Sequence, residues 1–244
     1  MNNHARIITD FICSIVRKDI KIARVEINSG KISLVIPEKC DAASLISNNI
    51  NWLIKKNIEL NNIRKIKISI IKGNKISIAG KYYSLFYNKS LIYNNHAIYL
   101  NKNNKGHINS IASNFINELY NTIKIYLDYY HKKYGYKYNK IYIKKEKTKW
   151  GSCTYNNNLN FNIYMMFLPK KLIRYIVFHE FLHLNFKNHS NNFHEILYHE
   201  FKEHKKLDQK LLAYYYYLNN FNDIYEIINN VDVYDTLSIC NENI

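Results

Sequence analysis

The residues His179-Glu180-Phe181-Leu182-His183, with His189 six positions further on, bring three imidazoles and one carboxylate into eleven residues of chain. Histidines four apart on an α-helix differ by about 40° around its axis, so both rings leave one face about one turn apart and can share a tetrahedral ion. Three protein ligands leave a fourth position for water, whose pKa then falls to roughly 7. Glu180 has the place of the carboxylate that takes the water's proton and passes it to the leaving group. The chemistry implied is that of a zinc-dependent hydrolase with one Zn2+ per chain and Glu180 as the catalytic residue.

The surroundings of the pentapeptide support this reading. Leu172, Ile176, His179 and His183 follow one helix face at i, i+4, i+7 and i+11, so the imidazoles continue an apolar stripe. Two histidines and a glutamate on such a stripe are costly unless a cation satisfies them. Two neighbouring look-alikes fail the same test. His194 with His199, and His199 with His204, stand five apart and are rotated about 140° from one another.

The third ligand must return to the ion through a turn. Asn185 and Asn188 tolerate the left-handed backbone that ends a helix, and Ser190 can cap the next one, which suits His189. His194 or a downstream Glu is the alternative, since zinc sites also take carboxylate ligands. The spacing to His189 equals that of metzincins, but Phe186 stands where those carry Gly. The only methionines, Met1, Met165 and Met166, all precede the helix.

Upstream lie Thr148-Lys149-Trp150-Gly151-Ser152-Cys153, Leu159-Asn160-Phe161-Asn162 and Leu168-Pro169; downstream lie Asn188-His189-Ser190 and Phe193. In this order the segments resemble the YgjP-like metallopeptidase family, relatives of the SprT-like zincins. The likeness is strongest from Thr148 to Phe193. It reaches more weakly over residues 20 to 200 through Val25 to Pro37, a helix from Asp41 to Leu60 with Trp52-Leu53, and Gly80-Lys81-Tyr82-Tyr83. The resemblance implies a zinc peptidase with His179, His183 and His189 as ligands and Glu180 as base.

The chain departs from the family pattern at Lys149, where an Arg is usual, and at His194, where a Trp is usual. Lys149 keeps a cation without the planar fork of arginine, which loosens any grip on a carboxylate or oxyanion. His194 reads as a filler beside the site. Lys149, Trp150 and Ser152 are candidates for substrate binding or oxyanion support, since a strand beside such a helix can hold extended peptide by strand addition. Trp150 reads equally well as a residue packed under the helix, and Cys153 as a small apolar residue rather than a ligand.

The expected class is α+β. Residues 1–104 form an N-terminal domain of β-hairpins with one helix, with a turn at Asn28-Ser29-Gly30, strands around Ile76 to Ile78 and Ala97 to Leu100, and a helix capped by Asp41. Residues 105–218 form a zincin-like domain whose active-site helix packs on a small sheet. A long helix with Phe115, Ile116, Leu119, Ile123 and Leu127 as its core stripe opens it, and strands near Ile141 to Ile143 and Leu159 to Ile163 precede the metal-bearing helix. Residues 219–244 are a mildly acidic tail without an assigned role.

A net charge of +16 invites a nucleic-acid reading, but the lysines are scattered in a chain saturated with Lys, Asn, Ile and Tyr, and no binding motif accompanies them. A peptide or protein is therefore the expected partner, with oligomeric state open. Four widely spaced cysteines without a C-x-x-C pair suit a reducing cytoplasm, and the apolar stretch from Ile7 to Val16 is interrupted by Thr9 and Asp10, so neither leader nor membrane span is expected. Two other readings remain: a zinc-dependent nucleotide phosphohydrolase, which lacks a Gly-rich phosphate loop, and a DNA-associated SprT-like protease or binding module.

Overall fold

Alternation of Ile32, Leu34 and Ile36 drives one face of a strand into a core, and the helices that follow supply the opposing side chains. The computed structural model describes residues 12–28, 31–66, 68, 71–72, 75–87, 93–94, 97–100, 105–146 and 148–219. The turn residues 29–30, the apolar stretch before Ile12 and the tail from residue 220 lie outside the described residues. The chain is a mixed α+β protein that divides into two compact units. One runs up to Ile68 and takes Gln209–Phe221; the other lies between Ser69 and Asp208.

In the first unit, β1 (Ile12–Lys18), β2 (Arg24–Asn28) and β3 (Lys31–Pro37) form a sheet with β3 in the middle, parallel to β1 and antiparallel to β2. Two helices follow, α1 (Ala42–Asn48) and α2 (Ile50–Arg64), where the sequence pattern predicts one. Asp41 caps α1 by accepting from the Ala43 and Ser44 amides. The break falls at Asn49, whose side-chain amide donates to the Leu45 carbonyl at 2.8 Å and so competes with the helical ladder. Ile32, Leu34, Ile36, Ile46, Leu53, Leu60 and Ile63 make the core, closed by Ala213.

In the second unit, β4 (Ile71–Lys72), β5 (Lys75–Ile78), β6 (Lys81–Tyr87), β7 (Tyr93–Asn94) and β8 (Ala97–Leu100) form a sheet in the order β4-β5-β6-β8-β7. Helix α3 (Lys105–Tyr134) buries Phe115, Ile116, Leu119, Ile123, Leu127 and Tyr130 along one stripe. A second sheet follows, of β9 (Ile141–Lys144), β10 (Gly151–Cys153) and β11 (Leu159–Asn162), with β11 central. A 3-10 turn (Ile163–Phe167) leads into α4 (Lys170–Leu182), then α5 (Asn191–Glu200) and α6 (His204–Asn219), whose residues from Gln209 on belong to the first unit. Among the described residues no helix is long and apolar enough to cross a membrane.

Helix α4 is braced along its length. The two-residue turn Ala79-Gly80 between β5 and β6 has φ of 48° and 77°, as a tight hairpin with matching twist requires. The Ala79 amide donates to the Met166 carbonyl, and a side chain at Gly80 would strike Lys170 Cγ at 2.7 Å, so the turn abuts the start of α4. Farther along, Phe178 and Phe181 pack on Tyr130 with ring centroids at 4.4 and 5.9 Å. Arg174 donates to the Tyr130 hydroxyl and to Glu200, and Lys133 donates to the other oxygen of Glu200. The carboxylate thereby ties α3, α4 and α5 together.

Candidate metal centre

His179 lies in the last turn of α4 and His183 immediately follows the helix, so their rings rise from one face with centroids 5.0 Å apart. The chain then turns through residues 184–188 and brings His189 back, its ring centroid 5.0 Å from that of His179 and 4.8 Å from that of His183. The Nε2 atoms of His179 and His189 are 3.1 Å apart, and one ligand atom from each of the three rings lies within 4.8 Å of the others.

Two local features hold this geometry. The Phe186 carbonyl is 2.8 Å from His183 Nδ1, and a carbonyl can only accept, so Nδ1 carries the proton and Nε2 keeps a free lone pair. Ser190 caps α5 by accepting from the Phe193 amide, which begins the next helix directly after His189. The fully buried Phe193 then lies beside all three imidazoles, stacked on His183 at 4.9 Å and edge-on to His179 at 5.0 Å and His189 at 4.8 Å.

Burial sets the charge states. His179 is pushed down to about 3, by desolvation first and then by His183, His189 and His194, so its ring is neutral with a lone pair to offer. His183 is lowered by desolvation and by His189 and Lys187, against an opposing contribution from the Phe186 hydrogen bond. The Glu180 carboxyl is raised to about 8 by desolvation, with Lys149 pulling the other way. A buried carboxyl beside two partly buried rings and an exposed third, without a protein cation in contact, makes a cradle that a divalent ion would complete.

The sheet supplies the opposite wall. A Cβ on Gly151 would fall 2.7 Å from Glu180 Cγ, so the glycine at the start of β10 lets the carboxylate side chain pass against the strand. Side chains alternate along a strand. Ser152 therefore projects to the other face, where Asn160 donates to its carbonyl and hydroxyl oxygens, each at 3.3 Å. Lys149 is exposed and Trp150 half-buried just before the strand. Cys153 is a half-buried free thiol whose pKa is raised by burial. His194 is exposed, with its ring 6.0 Å from His189, and is not one of the three clustered histidines.

Two residues here have roles that sequence order did not suggest. Phe193 is the floor under the imidazoles. Asn162 clamps the approach to β10, its side-chain amide donating to the carbonyls of Glu146 at 2.9 Å and Lys149 at 2.8 Å. The signal for Asn162 was present, because a polar residue at every second place of Leu159-Asn160-Phe161-Asn162 must bond to something if the strand is central and buried.

Residues 21–214 match the family model described as YgjP-like, metallopeptidase domain. The chain belongs to the YgjP-like metallopeptidase family. No curated protein matches it. The YgjP-like match takes in every residue of the histidine cluster, Glu180 and β10, and membership makes the protein a member of a metal-dependent peptidase family, with a metal ion implied and a histidine triad able to hold one.

Proposed function

We propose that this protein is a zinc-dependent peptidase in which His179, His183 and His189 hold the ion and Glu180 is the general base. The observation that carries the reading is the convergence of three imidazoles over Phe193 beside one buried carboxyl. Tetrahedral zinc at about 2.0–2.1 Å from each nitrogen puts ligand atoms about 3.3 Å apart, close to the 3.1 Å between His179 and His189. An all-imidazole set with one open position suits catalytic zinc better than calcium or magnesium, which prefer oxygen. Zinc bound there supplies a Lewis acid and a water ionisable near neutral pH.

The residues of the chain do the rest. Glu180 reaches neutral pH close to its own ionisation point, which favours a group that must take a proton and then return it to the departing amine. Gly151 gives that side chain its room. The outer edge of β10 has no strand partner among the described residues, so an extended peptide can add to it and pass along α4 in the zincin manner.

The test is metal analysis of the purified chain followed by an unbiased peptide screen. One zinc per chain, with peptide cleavage that a chelator abolishes and added zinc restores, is the expected result. A chain that refuses zinc, or zinc-loaded chain that leaves every peptide intact, overturns the proposal.

A further inference from the structure

Two exposed lysines stand at the two ends of β10. Lys149 precedes the strand by two residues, its carbonyl fixed by Asn162 at 2.8 Å. Lys187 belongs to the loop that carries His183 and His189, and it reaches across to the β10–β11 turn, donating to Asn157 Oδ1 at 2.7 Å. Neither ammonium has a carboxylate in ion-pair contact among the described residues. Both stand close to the site in the chain: Gly151, two residues after Lys149, packs on Glu180, and Lys187 lies two residues before His189. Glu180, whose side chain packs on Gly151, is buried.

We infer that the protein selects peptides with acidic side chains on both sides of the scissile bond, the acids pairing with Lys149 at one end of β10 and Lys187 at the other. The inference rests on the peptidase reading above and names its substrate class. A three-residue strand rises about 3.3 Å per residue, so the lysines bracket a stretch of only a few substrate residues centred near Glu180. A peptide laid along the open edge thus meets a cation shortly before and shortly after the bond presented to the histidines. Acidic side chains gain there, basic ones are repelled, and neutral ones meet two unanswered charges. Single-stranded nucleic acid would also meet two cations here, with Trp150 before the strand and the exposed Tyr155 after it, but the match to a metallopeptidase domain favours a peptide, and an oligonucleotide is an arm of the test below.

The experiment uses full-length, zinc-loaded protein and quenched peptides identical except for Asp/Glu or Asn/Gln at the positions flanking one cleavage site, read at low and high salt. The acidic member should show kcat/KM higher by about three- to tenfold at low salt, the size expected of two solvent-exposed ion pairs, with the gap closing as salt rises. Lys187→Glu should reverse the ranking and favour Lys/Arg at one flank, and Lys149→Gln should lower the preference at the other, both through KM. Metal content of each variant reports that it is folded and loaded. Equal cleavage of the acidic and neutral members, or a ranking unmoved by Lys187→Glu, overturns the inference while leaving the peptidase standing. Cleavage of no peptide removes both. Displacement of the acidic peptide by a single-stranded oligonucleotide that binds more tightly at physiological salt also overturns it, in favour of a nucleic-acid surface.

Discussion

Gly151 and Glu180 compete for the same volume: a methyl group on the glycine would lie 2.7 Å from Glu180 Cγ and 3.0 Å from both Cδ and Oε1. Gly151→Ala must therefore push the carboxylate off its position, since the three atoms nearest the new methyl all belong to Glu180. The expected outcome is a loss of about a hundredfold in kcat with zinc content unchanged, the usual cost of moving a reacting group by about an ångström. Steady-state kinetics beside metal analysis decide it; an alanine variant with wild-type kcat would remove the assigned importance of this contact.

Glu180 and His183 should separate chemistry from metal holding. Glu180→Gln keeps one zinc per chain and lowers turnover by about 10²- to 10⁴-fold, the typical contribution of a general base. His183→Ala loses the ligand that the Phe186 carbonyl orients and gives a protein depleted of metal. Turnover that survives in the Gln variant would leave Glu180 without its role.

Phe193→Ala removes the ring that touches all three imidazoles. Emptying a fully buried phenylalanine site costs about 3–5 kcal/mol of folding stability, and zinc affinity should fall by about 10- to 100-fold as the rings lose their floor. Denaturant midpoints and chelator competition measure the two effects. Phe193→Leu should restore most of the first and less of the second.

The pH dependence of the metal-free protein follows from two opposed groups. For His179 the folded ring is neutral above about 3 while the unfolded ring takes a proton below its ordinary 6.5, so stability falls as pH drops through that interval. For Glu180 the folded carboxyl keeps its proton up to about 8 while the unfolded one releases it above its ordinary 4.5, so stability falls as pH rises through that interval. Between 6.5 and 8 only the second acts. Urea midpoints of chelated wild type should decline over this range, and those of Glu180→Gln should decline less; parallel curves would show that the carboxyl is not protonated in the fold.

Much of the second unit is legible in the sequence because its signals are local. The apolar period of three and four residues over Phe115 to Leu127 marks one helix face, and the alternation in Leu159 to Asn162 marks a strand. The four-residue spacing of His179 and His183 is enough to put both rings on a shared face. What escaped depends on residues distant in the chain. Gly151 meets Glu180 across 29 positions, and nothing in a Trp-Gly-Ser-Cys string says which neighbour needs the missing side chain. The break at Asn49 escaped for a different reason, since the flanking apolar pattern is continuous and the interruption lies in the Asn49 backbone and its side-chain bond to Leu45.

The carboxylate of Glu200 receives Arg174 and Lys133 at one end of α5, while Phe193 stands two turns earlier on the same helix. The segment between them is thus a spacer of fixed length. Inserting or deleting one residue would swing the aromatic ring by about 100° relative to its anchor and withdraw it from the histidines. Length variation in homologues or designed chimeras should accordingly be forbidden from 193 to 200, a ruler whose gradations are individual amino acids.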